Sequence, residues 1–117
     1  VLVDMDAGIE HFGRGIEASV DAVVCVVEPS FESINMASKI KELTQSVGAS
    51  FRGAILNKVA SSGHEAVLSE RLNDVGVPIL GTIHYHGEIV AACLEGGVLD
   101  VPRASTEMEG IVKTLLS

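Results

Sequence analysis

Residues 21–27 read Asp-Ala-Val-Val-Cys-Val-Val. The run is β-branched and does not alternate apolar with polar, the pattern of a strand covered on both faces in a parallel sheet. Parallel neighbours need a crossover of about a dozen residues or more, usually a helix. The sequence supplies such crossovers. Ser30 is an N-cap candidate, and Ile34, Ala37, Ile40, Leu43 and Val47 then recur at helical spacing until Gly48 closes the helix. Phe51 to Leu56 reads as the next strand and ends at Asn57-Lys58. A loop at 60–63 leads to a helix over 64–73 with Val67, Leu68 and Leu72 inward. Gly76-Val77-Pro78 turns the chain into a strand over 79–83, and a short helix over 89–94 ends at Gly96-Gly97. The last helix should bury Met108, Ile111, Val112 and Leu115.

At the amino end, Val1 to Asp4 reads as a strand, followed by a turn and a helix near 16–20. The whole predicts one α/β domain over residues 1–117, a parallel sheet flanked by helices.

Composition narrows the function. Aromatics are 3% of a chain that is 47% apolar, so the core must be aliphatic. A net charge of −8 argues against nucleic acid as a partner. The eight Lys and Arg are scattered and no apolar stretch is long enough to span a bilayer, so no membrane role is expected. Cys25 and Cys93 sit in apolar contexts, both expected buried and reduced, which suits the cytoplasm better than a disulfide.

The chemistry concentrates in Asp4-Met5-Asp6-Ala7-Gly8-Ile9-Glu10. Ligands of open α/β sheets sit beyond the carboxyl ends of the strands. An aspartate there can hold a hydrated Mg²⁺, and a glycine lets backbone approach a phosphate. A strand-end acid that merely caps the next turn is the competing reading of Asp4.

These seven residues resemble switch II of the MinD/nitrogenase-iron-protein class of P-loop ATPases. With His11-Phe12-Gly13-Arg14-Gly15 added, the string is more similar still to the CO dehydrogenase maturation factors of the CooC type. The resemblance implies a Rossmann-like P-loop NTPase fold, with ATP and Mg²⁺ as cofactors of the intact protein. It further implies a homodimer, a metalloenzyme client and a link to nickel delivery. Asp4 would hold Mg²⁺ through a water, and Gly8 would offer its N–H to the γ-phosphate. Asn57 would read the adenine edge. Glu10 would be a dimer or switch contact. The loop of Arg14 and its flanking glycines reads either as a partner-subunit contact or as a flexible surface loop.

Two departures stand out. His84 replaces the usual proline of the loop against the base, and His86 replaces an acid. His84 or Tyr85 could stack on a purine; alternatively, His84 and His86 could form a metal-binding pair. Plain polar loop residues are the third reading. The phosphate-cradling Gly-x-x-x-x-Gly-Lys-Ser/Thr is absent from the 117 residues. We therefore expect an upstream portion that carries it, no ATP hydrolysis by this chain alone, and a sheet edge that oligomerisation or a partner strand covers. A non-catalytic α/β interaction module that has lost nucleotide binding is the alternative.

Overall fold

A computed structural model describes residues 1–5 and 20–117. Within them the order is β1 (Ala22–Val27), α1 (Phe31–Ser46), β2 (Ser50–Val59), α2 (Ser62–Asp74), β3 (Ile79–His84), α3 (Gly87–Glu95) and α4 (Pro102–Leu116). The strands make one parallel sheet in the order β1-β2-β3, as the crossover pattern requires. All three therefore end at one rim, from which the helices start.

Local chemistry sets the helix starts. The Ser30 hydroxyl accepts the Ser33 N–H at 3.1 Å, and the Ser61 hydroxyl accepts that of His64 at 3.2 Å. Each such cap is worth about 1 kcal/mol. Gly48, at φ +78°, ends α1 as its position predicted.

The main core lies where α1 and α2 cover β1 and β2. Cys25 and Val27 pack with Ala54, Leu56 and Val59 against Ile34, Ala37, Leu68, Leu72 and Val77. Fully burying a Leu or Val contributes about 1.5–3 kcal/mol. Aliphatic side chains suffice, as the composition demanded.

β3 is held from both sides. Gly81 and Thr82 are adjacent and face opposite ways; Gly81 meets Ile111 of α4, and Thr82 donates to Glu65 of α2 at 3.0 Å. At Gly81 an added Cβ would stand 2.5 Å from Ile111 Cγ1, so only glycine lets α4 come this close. Gly53 is required for another reason. Its φ is +137°, and a Cβ there would meet the Pro78 carbonyl oxygen at 2.5 Å.

Several expectations need correction. Val1 to Asp4 is not a strand; residues 1–5 have no regular structure, are exposed and pair with none of the three strands. A run this short becomes a strand only where a neighbour accepts its hydrogen bonds. β1 is not covered on both faces by the described residues, since Val26 is 62% exposed. Among the described residues it is an edge strand, with α1 on one side only. Val47, Val67, Met108 and Val112 are exposed as well. In α4 the inward stripe is Ala104, Glu107, Ile111 and Leu115, one residue round from the expected face. Cys93 is exposed, because α3 buries no residue among those described.

Candidate nucleotide-base site at the sheet rim

The rim is shaped by an irregularity at the end of β2. Leu56 pairs with Thr82 and Val59 pairs with His84, so Asn57 and Lys58 together oppose Ile83. Two residues against one is a β-bulge, a device that re-aims side chains near functional sites. Lys58 takes the left-handed conformation, φ +58°, and its ammonium reaches Glu28 Oε1 at 2.8 Å, just beyond β1. Hydrogen bonding to Glu28 raises the Lys58 pKa. Lys58 is thus exposed but ion-paired. The extra residue also returns Val59 to the core face.

The ladder continues past β3, where the Tyr85 N–H donates to the Val59 carbonyl at 2.9 Å. Asn57, His84 and Tyr85 therefore share the carboxyl rim of two adjacent strands. Tyr85 is exposed and Asn57 half-buried.

Around His84 lies a cluster that reading the sequence missed. Glu107 of α4 receives His84 Nδ1 on Oε2 and His86 Nε2 on Oε1, the latter at 2.6 Å. The His84 backbone N–H donates to the same carboxylate at 3.3 Å. From α2, Glu65 Oε2 accepts from His84 Nε2 at 3.2 Å, while its Oε1 holds Thr82. Glu107 gave no signal, because it lies one residue off the face of the last helix that the apolar pattern turns inward. Glu65 gave none beyond its place in a first helical turn.

The electrostatics follow from these contacts. Hydrogen bonding to Glu107 raises the His84 pKa against the opposing effect of burial, and Glu65 adds to the rise. Burial alone would raise the Glu107 carboxyl, but hydrogen bonds from His84 and His86 outweigh it and hold the pKa below the usual carboxylate value.

The two imidazoles differ in access. The His84 side chain is 44% exposed, whereas that of His86 is 6% exposed. They do converge from one side, as their spacing suggested. They converge on a carboxylate at hydrogen-bond distance. Among the described residues no group of three or more His, Cys, Asp or Glu is arranged to hold a metal ion. His86 also begins α3, without capping it, because its ring is committed to Glu107.

Of the remaining candidates, Asp4 lies in the irregular opening segment. Gly8, Asp6, Glu10 and Arg14 fall outside the described residues, as does the helix near 16–20 apart from Val20. An open apolar groove of about 320 Å³ runs between α1 and α2, lined in part by Phe31, Ile34, Val67 and Arg71. It includes none of the rim residues and is lined partly by exposed side chains. No helix among the described residues is long and apolar enough to cross a membrane.

No protein-family model matches the chain. An ATP-binding protein of Methanocaldococcus jannaschii is 32% identical over 117 residues, covering 99% of this chain and 46% of that protein. The carbon monoxide dehydrogenase accessory protein CooC of Rhodospirillum rubrum is 39% identical over 92 residues, 79% of this chain and 34% of its own length. The cell division ATPase MinD of Pyrococcus furiosus shares the fold with a TM-score of 0.66 at 20% identity, over 85% of this chain and 44% of that one. The chain thus spans less than half the length of each. It is related in sequence to ATP-binding proteins and to CooC, and it has the MinD-type α/β fold over that part.

Proposed function

We propose that these residues form the base-binding and switch-bearing part of a nucleotide-dependent, dimeric ATPase of the CooC type. The observation that carries this reading is the meeting of Asn57, His84 and Tyr85 at one sheet rim. An amide there can both donate to and accept from a base edge, and aromatic faces can stack on its plane. A base fits these groups. The phosphate-binding half would include Gly8, which lies outside the described residues and would offer an N–H, and Asp4 of the opening segment, which would offer a carboxylate to hydrated Mg²⁺. When bound, the metal would neutralise phosphate charge.

The role of this chain's own residues is to orient the nucleotide and to sense it. Asn57 fixes the base edge. The segment from Asp4 to Glu10 changes shape with the γ-phosphate and passes that change to a second subunit. Maturation of a nickel enzyme is the finer part of the reading, and it rests on the similarity to CooC.

The test is calorimetric titration with Mg·ATP. The 117-residue chain and the full-length protein encoded by its gene are compared, with Asp4→Ala and Asn57→Ala in the latter. Binding by the full-length protein, weakened by both substitutions, supports the reading. A full-length protein that ignores ATP returns the chain to the class of α/β interaction modules.

A further inference from the structure

We propose that Glu107 is a positioning residue which, with Glu65, fixes His84 by both ring nitrogens as a cationic plate that selects a purine base. This deepens the reading above and rests on it.

The geometry leads there without a ligand. A carboxylate only accepts hydrogen bonds. His84 Nδ1 meets Glu107 and Nε2 meets Glu65, so with both acids ionised each nitrogen must carry a proton. That species is the imidazolium. Its edge is consumed by the two acids, so only its faces remain for a ligand, and the side chain is 44% exposed. A flat cation beside an electron-rich base is a favourable pairing, as for guanidinium or ammonium over an aromatic ring.

The surroundings agree. From α2 comes Glu65, and from α4 comes Glu107. At the start of α3, His86 is buried and donates to the other oxygen of Glu107, which holds that carboxylate in place. On β2, Lys58 stands beside Val59, the strand partner of His84, but is turned onto Glu28 and adds no competing bond. The division of labour is plain: His86 props, Glu107 and Glu65 grip, and His84 presents. A proline at this place would offer a flat apolar face without charge. The histidine adds a charge that depends on pH, and so a pH dependence to base recognition.

The experiment measures Mg·ATP and Mg·tripolyphosphate binding to the full-length protein at pH 6 and pH 8.5. Tripolyphosphate has no base, so the ratio of the two affinities isolates the base contact. In the wild type this ratio should fall about five- to tenfold at the higher pH, the order expected for losing a cation from an aromatic face while the ring stays. His84→Phe keeps a stacking face without a charge and should make the ratio independent of pH. Glu107→Gln should move the break to lower pH, and should have no effect on the ratio in the His84→Phe background. NMR titration of the His84 ring in the same proteins reads the same shift without nucleotide.

A ratio that ignores pH, or a Glu107→Gln break at the wild-type pH, overturns the proposal while leaving nucleotide binding intact. If neither ATP nor tripolyphosphate binds at either pH, the nucleotide reading itself fails and takes this one with it.

Discussion

The contact between Gly81 and Ile111 sets how deeply α4 sits on β3, and its energy can be worked out. A methyl added at Gly81 would stand 2.5 Å from Ile111 Cγ1, 3.3 Å from Cδ1 and 3.7 Å from Cβ. Only the last is ordinary contact. Cγ1 is not a flexible tip, so either the isoleucine leaves its rotamer or the helix lifts. Overpacking of this kind costs about 1–3 kcal/mol. Ile111→Ala empties a site that is 2% exposed and should cost about 2–5 kcal/mol. In the double variant the offending atoms are gone and only Cβ remains. The methyl introduced by Gly81→Ala then partly fills the hole. The two substitutions should therefore be less than additive, by about 1–3 kcal/mol.

Urea unfolding of the four proteins, with the slope checked for constancy, measures this coupling. Costs that add to within about 0.5 kcal/mol would refute the claimed collision. The contact also reaches the rim. Glu107 lies one turn before Ile111 on the same inward stripe, so a lifted helix draws the carboxylate away from His84. Gly81→Ala should therefore lower the His84 pKa seen by NMR.

Three further outcomes are expected. The His84–Glu107 pair should stabilise the fold most between pH 4.5 and 6.5, the ordinary values of the two groups. The raised pKa of His84 makes its contribution fade as pH climbs through the folded-state value, and the lowered pKa of Glu107 makes it fade as pH falls below 4.5. Comparison with His84→Asn by denaturation across pH should show a difference of about 1 kcal/mol in that window, discounted because the ring is half-exposed. Thr44 is buried with a hydroxyl that has no hydrogen-bond partner among the described residues, so Thr44→Val should stabilise the chain by about 1 kcal/mol in urea melts. Burial pushes the Cys25 thiol up to about 11. A thiol reagent at pH 8 should therefore label Cys93 at once and Cys25 only on unfolding.

The alternation of strand and helix was legible because each element carries its own signal. Val23 to Val27 is largely β-branched, Ser30 announces a helix start, and Gly48 and Gly96 mark ends. What was not legible depended on neighbours. Nothing within Val1 to Asp4 tells whether a strand lies beside it. The face of α4 was misread by one residue because Met108 and Val112 are the more apolar choice, yet Glu107 is the residue β3 needs. The same misreading hid the rim cluster, since an acid on an amphipathic helix normally points to water. Sequence did single out Asn57, His84 and Tyr85, the second because it departs from a familiar pattern. It could not show the bulge at Asn57-Lys58, where two residues of β2 oppose Ile83 of β3.

The link between these misses is physical. A carboxylate turns inward only where it gains partners that offset its desolvation, and here the partners are two histidines from a different segment. An inward acid on α4 and two unexpected histidines after β3 are one feature seen from two sides. Each is costly without the other. Changing both histidines, His84 to proline and His86 to aspartate, should therefore destabilise the chain through Glu107, left half-buried beside another acid. Glu107→Leu in that background should restore stability, and failure of that rescue would separate the histidines from the acid.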